Sequence, residues 1–473
     1  MRQGIPRNLY NIFFTAVCAG FCFTVAGIFI VRSAGFCLYP YPIENGEGIC
    51  LHMAQLLKEG NLYKPLNELP LIVANYPPVY FFLNWVSIPS NIFMWGRCVS
   101  ALATLGIGVV VFLILKRYTR MNSIGFIAVS VLFMYPWLNL SGMLYRVDML
   151  AAFFSILGFF VFFSNVRRAR LIAAVFFMLG LYTKHTVWAG PLAAYTCLII
   201  QDRKQGIRDF LIFIASGAGI FVILTLITRG CFFRHLVMYN VYNYKLSQLW
   251  HFLKIFIKDT GIIWIPSIIG FTSVCRSNRP ILLYTIFSFA LLGMLGREGA
   301  SAHYFLESAI AVALIGAIGI NELQLKKRRF YLNALIVVLL LGGHLYMNRG
   351  VFQKITIDEK YKLIMSLLHK EIINEKGKVL AEDNGVIVMT GKTVYVHTFA
   401  ISKLIEQGVM RPDIFYDMIA NREFALIVLN SNLEKLSRFT YSRFTKEALM
   451  LIYKNYKFEK QIGNNYLYRR KPQ

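Results

Sequence analysis

The stretch IFFTAVCAGFCFTVAGIFIV, Ile12 to Val31, runs for twenty residues without a charge. A helix needs about 20 apolar residues to cross roughly 30 Å of hydrocarbon. Arg2 and Arg7 precede it. The apolar core of a cleaved signal peptide is only about 7–15 residues long, so the run reads as a retained first membrane span. Composition agrees. The chain of 473 residues is 57% hydrophobic, only 16% charged, and has a mean hydropathy of +0.53. A soluble domain carries about 25% charged residues, so much of this surface is expected to face lipid. The formal net charge of +26 would suggest nucleic acid on a soluble chain. On a membrane protein it reads as Lys and Arg concentrated in cytoplasmic loops, and no nucleic-acid partner is expected.

Working outward, further apolar spans are expected at about 92–115, 122–140, 149–166, 171–183, 186–200, 210–228, 259–274, 281–296, 304–321 and 330–347, about eleven in all with the first. Thr183-Lys184-His185-Thr186 separates two short ones. A Lys-His pair in mid-bilayer is expensive, so this break is placed at a turn on the membrane surface. Alternate loops are basic: Lys116, Arg117 and Arg120; Arg167, Arg168 and Arg170; Arg203, Lys204 and Arg208; Arg276 and Arg279; Lys326, Lys327, Arg328 and Arg329. The positive-inside rule makes these loops cytoplasmic. The N-terminus is then inside, and the remaining loops and the C-terminus face outward. From about Gly350 the composition turns soluble. The chain is therefore divided into a membrane domain, 1–349, and an extracytoplasmic α/β domain, 350–473. In the latter a helix is expected near 356–373, strands at KVLAED, GVIVMTG, TVYVHTF and FALIVLN, a helix at PDIFYDMIANRE, and a closing hairpin in YKFEKQIGNNYLYRR that turns at its Asn-Asn.

Polar residues on the outward side are sparse. Glu44 and Glu47 lie in ENGEG, Arg146 and Asp148 at the lip of a span, and Lys184 and His185 in the short turn. Arg234 and His235 lie in a basic, aromatic segment, and Tyr304 and Glu307 begin a late span. Each has a plain structural reading as well: solvated loop carboxylates, a helix-end ion pair, lysines reaching for water, an interfacial aromatic belt, a capping glutamate. Their shared side of the membrane favours chemistry. Moving a sugar from a lipid phosphate needs a carboxylate base for the acceptor hydroxyl and cations for the phosphate leaving group. The eight Cys show no metal-ligand spacing; Cys37 and Cys50 share a loop in which they could pair. A rival class, a transporter of a lipid-linked glycan, is expected to place charges near mid-membrane and to show repeated halves, and neither is visible. An inactive scaffold is the third reading, and the intact Glu44, Glu47 and Asp148 speak against it.

The motifs resemble a family. ENGEGICLHMAQLLKEGNLYKP with NYPPVYFFLNW, residues 44–65 and 75–85, is similar to the signature loop of polytopic GT-C glycosyltransferases. FMWGRCVSALATLG, YRVDMLAAFFSILG, LYTKHTVWAGPLA and SAHYFLESAIA resemble the Gly-Arg, R-x-D, TKQ and NYFLE segments of the same family, in order across most of residues 1–350. The bacterial protein-mannosyl and aminoarabinose transferases are the nearest subgroup. The resemblance implies a mainly helical fold and transfer from a polyprenyl-phosphate sugar, with inversion, to an extracytoplasmic lipid, glycan or protein at the inner membrane. It makes Glu47, or else Glu44, the catalytic base and Asp148 a second carboxylate. It assigns Lys184, His185 and Arg146 to the donor phosphate, where the sidedness argument also puts Arg234 and His235, and has Tyr304 and Glu307 line the cavity. No cofactor is specified, and a divalent cation is compatible. Glu44 replaces a frequent Asp, His185 a Gln and His303 an Asn. These departures bear on which carboxylate is the base and on donor and acceptor preference.

Overall fold

The structure, a computed structural model, describes residues 7–85, 91–240, 242–326, 330–353, 357–435 and 443–472. Arg2 and the basic residues Lys327, Arg328 and Arg329 lie outside that set. The chain forms two compact units. The first contains Met1–Phe36, Arg97–Ala218 and Asn243–Thr356; the second contains Cys37–Gly96, Gly219–Tyr242 and Ile357–Gln473.

The first unit is helical. A helix lies at each of the eleven expected positions, and among the described residues five are long and apolar enough by themselves to cross a membrane: Ile12–Leu38, Met94–Thr119, Arg203–Ile227, Arg279–Gly296 and Ala302–Leu323. The others are shorter, and one ends at Met134 because Pro136 opens a separate turn, Pro136–Ser141. Leu306–Lys326 is the innermost helix, with Ile310, Ala311, Leu314 and Ile318 wholly buried. It packs on Trp264–Ser277 through two glycines. A Cβ at Gly270 would fall 1.7 Å from the Ile315 carbonyl oxygen, and one at Gly319 would fall 1.8 Å from the Pro266 carbonyl. Small residues allow such backbone approach where lipid removes the hydrophobic drive between helices. In the same way Gly158 of Val147–Phe162 receives the ring of Phe177 from Ala169–Thr183.

The second unit joins a four-stranded sheet to the loop that follows the first span. Strands β1 (Lys378–Ala381), β2 (Phe424–Leu429), β3 (Tyr456–Ile462) and β4 (Asn465–Arg470) stand in the order β1-β2-β4-β3. β1 is parallel to β2, and the other pairs are antiparallel. The β3–β4 turn is Gly463-Asn464 rather than the expected Asn-Asn, because Gly463 takes a φ of +59° at no steric cost. Two expected strands are absent. GVIVMTG begins with a short helix, Gly385–Val388, because the Asp383 carboxylate accepts the Gly385 N–H at 2.8 Å and turns the chain there. TVYVHTF makes only an isolated parallel bridge, Val396 to Leu71. That bridge is informative: Leu71 N–H donates to the Tyr395 carbonyl at 2.7 Å and His397 N–H to the Leu71 carbonyl at 3.0 Å. Leu66, Leu71 and Val73 sit in one apolar core with Leu380, Ile401, Phe415, Ile427 and Tyr468. The C-terminal segment is thus not self-contained. Its core is completed by residues 37–96, and residues 219–242 belong with them.

The glycine contact supplies a test. Gly319→Leu overpacks the helix pair, which costs about 1–3 kcal/mol in a close-packed interior. The thermal unfolding midpoint in detergent is expected to fall below that of the parent. Gly342→Leu, at a position with open space around the Cβ, is expected to leave it in place.

Candidate active site

Asp148 organises the polar centre of the first unit. It is the second residue of Val147–Phe162, where first-turn N–H groups and the helix dipole favour a negative charge. Only 1% of it is exposed. The Arg146 Nε donates to its Oδ2 at 2.9 Å and the Lys184 Nζ to its Oδ1 at 2.5 Å. Lys184 closes the C-terminal end of Ala169–Thr183, the end that favours a cation. The His303 Nδ1 accepts from Ser301 Oγ (2.5 Å) and Arg146 Nη2 (3.3 Å), which puts its proton on Nε2, 3.8 Å from Asp148 Oδ1. The Lys184 ammonium lies 4.3 Å from the centroid of the Tyr304 ring. Two cations therefore converge on one carboxylate.

Four residues singled out from sequence, Arg146, Asp148, Lys184 and Tyr304, are therefore in mutual contact. Lys184 sits in the expected break between two helices but does not reach for water. It is 3% exposed and tied to Asp148. The neighbouring His185 is not a cation. Burial first, then Lys184 and Arg297, push its pKa down to about 4, and its Nδ1 has no hydrogen-bond partner among the described residues. Glu307 has the capping role that sequence left open. Its Oε1 accepts from Ser155 Oγ at 2.6 Å and its Oε2 from the Ala189 N–H at 3.4 Å, at the start of Ala189–Gln201. Ser155, eight residues after an unremarkable helix start, carried no sequence signal.

The second unit holds the first-loop carboxylates. Glu44 is the N-cap of helix Asn45–Lys58, so the Asn-Gly between the glutamates opens a helix rather than a free turn. Glu47, in the first turn, is fully buried, and its Oε2 accepts the Ile43 N–H at 2.7 Å. Beside them lies the part-buried Asp383. Desolvation, opposed by the Gly385 N–H and Arg443 and reinforced by Glu44 and Glu47, raises its pKa to about 6. The Asn45 carboxamide donates to Asp383 (3.2 Å) and accepts from Arg443 Nη1 (2.5 Å). Asp383 carried no sequence signal, because it falls at the end of KVLAED, which reads as a strand. His235, expected from sequence beside the donor phosphate, is occupied by backbone groups. Its Nδ1 accepts the Ala74 N–H at 3.1 Å and its Nε2 donates to the Lys64 carbonyl at 2.7 Å, so both nitrogens hold the first loop. Burial lowers its pKa, which keeps it neutral. Arg234 is exposed, lining a shallow cavity with Tyr239, Arg411 and Asp413. Among the described residues no group of three or more His, Cys, Asp and Glu converges to hold a metal ion.

No family model and no curated protein sequence matches this chain. Solved structures do. The crystal structure of ArnT from Cupriavidus metallidurans bound to undecaprenyl phosphate aligns over 99% of this chain and 100% of that one, with a TM-score of 0.61 at 12% identity. The apo form aligns over 98% and 99%, with a TM-score of 0.58 at 12% identity. The chain has a GT-C glycosyltransferase-like fold. The likeness includes the C-terminal segment, since it runs over nearly the whole chain.

Two measurements test these networks. Asp148→Asn leaves the buried Lys184 and the part-buried Arg146 facing a neutral amide and is expected to destabilise the protein by about 3–5 kcal/mol. Adding Lys184→Met is expected to recover part of the loss, so the double variant is less damaged than the sum of the singles in thermal unfolding. In the second unit the His52 Nδ1 meets the His397 Nε2 at 3.2 Å. Burial lowers the His52 pKa from 6.5 to about 4 and holds His397 well below its usual value. The unfolded chain binds protons below pH 6.5 that the folded chain refuses. The stabilisation is therefore full above pH 6.5 and is lost as pH falls toward 4. The unfolding midpoint is expected to drop across that window, and to drop less in His52→Asn.

Proposed function

We propose that this multi-pass membrane protein is a glycosyltransferase that moves a sugar from a polyprenyl-phosphate donor to an acceptor outside the cytoplasm. The observation that carries this reading is the pair of cations held on the buried Asp148, Lys184 buried with it and Arg146 part-buried beside it. A departing phosphate gains negative charge as the bond from the anomeric carbon to its oxygen breaks. Preorganised cations in a low-dielectric site stabilise that charge most in the transition state. Asp148 fixes the two cations in place, and the neutral His185 contributes a hydrogen bond rather than a charge. The likeness to ArnT, solved with undecaprenyl phosphate, supports a lipid phosphate as the leaving group.

The acceptor hydroxyl attacks the anomeric carbon from the opposite face, inverting it, and its proton passes to a carboxylate. The first-loop glutamates are the proposed bases. Glu44 is the less buried of the two, while Glu47 spends one oxygen on the Ile43 N–H. The alternating basic loops support an outward-facing active side and an inner-membrane location. The acceptor is a lipid, glycan or protein on that side.

The test is turnover by purified protein with a panel of polyprenyl-phosphate sugars. Lys184→Gln and Arg146→Gln are expected to lower kcat at least 10²-fold, as loss of one oxyanion donor does. Glu44→Gln and Glu47→Gln identify the base by which of them abolishes transfer. Parental turnover in all four variants, or none from the parent with any donor, overturns the proposal.

A further inference from the structure

A cavity of about 370 Å³ lies in the first unit, at the opposite end of helix Val147–Phe162 from Asp148. Nothing in the proposed transfer uses it. Three stretches wall it: the last turn of Met94–Thr119, the end of Val147–Phe162, and the junction at Ser277 and Asn278 where Trp264–Ser277 gives way to Arg279–Ala290. The inner wall is apolar. Phe159 and Ile281 are buried there, the rings of Phe159 and Phe163 meet edge to face with centroids 5.3 Å apart, and Phe160 lies beside them. The rim is polar. Ser277 Oγ spends its proton on the Ser273 carbonyl at 2.8 Å, so the Tyr118 hydroxyl donates to it at 2.7 Å and ties two walls together. Asn278 caps the helix that follows, its Oδ1 accepting the Ile281 N–H at 3.0 Å. That leaves the Asn278 Nδ2 as an uncommitted donor among the described residues, and Arg117 on the rim makes no ion pair among them.

An arginine and an amide suit any anion. Two further observations narrow the ligand. The first is the field. Lys116, Arg120, Arg276 and Arg279 flank the rim and are exposed. Among the described residues no carboxylate lines the cavity; the nearby Glu322 accepts from Ser273 Oγ at 3.0 Å. The positive end of helix Arg279–Ala290 adds to that field. The second is position. Met94–Thr119 and Arg279–Gly296 are both long and apolar enough to cross a membrane, and the cavity sits at the last turn of one and the first turn of the other. Span ends lie at the boundary between hydrocarbon and headgroups. An aromatic wall inside a cationic rim at that boundary matches an amphiphile, with an acyl chain against the phenylalanines and a phosphate on Arg117 and Asn278. Basic pockets between spans on the cytoplasmic side take anionic headgroups in this way. We propose that this cavity binds an anionic phospholipid of the leaflet that meets the basic loops. The inference rests on the membrane placement of the first unit and not on the transferase reading, since its test needs no turnover.

The experiment follows the unfolding midpoint of the full-length protein in dodecyl maltoside as phosphatidylglycerol, phosphatidylcholine or glycerol phosphate is titrated in. A ligand of the folded state raises the midpoint by mass action. Phosphatidylglycerol is expected to raise it saturably, and phosphatidylcholine and glycerol phosphate to leave it in place. Arg117→Gln is expected to weaken phosphatidylglycerol about tenfold, the loss of one charge-assisted contact. Asn278→Asp keeps a capping oxygen but sets a negative charge where the donor was, and is expected to weaken the lipid at least as much. Arg203→Gln/Lys204→Gln, on another basic loop, is expected to bind it as the parent does. A lipid-free midpoint equal to the parent's certifies each variant; if Asn278→Asp fails that check, the exposed Arg117→Gln carries the test alone. Glycerol phosphate acting as strongly as the lipid assigns the cavity to a soluble anion and overturns the proposal. So does an equal response to phosphatidylcholine, undiminished binding by Arg117→Gln, equal weakening in the Arg203→Gln/Lys204→Gln control, or no response of the parent.

Discussion

A carboxylate on the first turn of an apolar helix stays ionised in a protein interior only if cations are brought to it. Asp148 meets that condition with Arg146 from two residues before and Lys184 from the next helical hairpin. The requirement explains much of the first unit. It explains why the chain breaks at Lys184 between two short helices, since the ammonium must reach Asp148 rather than water. It accounts for the stacking of Tyr304 against that ammonium and for the neutral tautomer of His303. Glu307 and Ser155 then lock the start of the helix that follows Lys184. The buried ion cluster is costly as a stabilising device. Perturbed, buried charges of this kind are characteristic of functional sites.

The second unit is built on a different constraint. Sheet β1–β4 is small and could not bury enough apolar surface from its own segment. Leu66, Leu71 and Val73, contributed by the loop more than 300 positions earlier, fill its core. The backbone bridge at Leu71 and the His52–His397 contact tie the same segments together. Gly48 and Gly385 approach so closely that a Cβ on the former would lie 2.2 Å from the Cα of the latter. The helix that presents Glu44 and Glu47 is thereby held by the C-terminal segment. A tail with the composition of an independent domain is, physically, half of one.

Legibility followed the range of the interactions. The apolar runs and the break at residues 183–186 were readable because burial in lipid imposes a length and a polarity on local sequence. The hairpin at 456–470 was readable from alternation and turn residues. GVIVMTG was misread because a short, fully buried apolar run has no periodicity to separate helix from strand, and the Asp383 cap decided the matter. Arg146, Asp148 and Lys184 could be nominated from sequence as charges out of place in apolar surroundings. His235 was nominated from its basic, aromatic outward segment, but its partners are two backbone groups that no pattern of side chains reveals.

The sequence by itself determined the helical, membrane-spanning character of the chain, the basic loops and the segments in which polar chemistry is concentrated, because each is a local property of composition and spacing. Only the tertiary structure decided that Lys184 pairs with Asp148, that His185 and His235 are neutral, that Glu307 caps a helix and that the first loop shares a core with the tail. Those outcomes depend on desolvation and on partners distant in the chain. Neither quantity is defined until the backbone has closed around them.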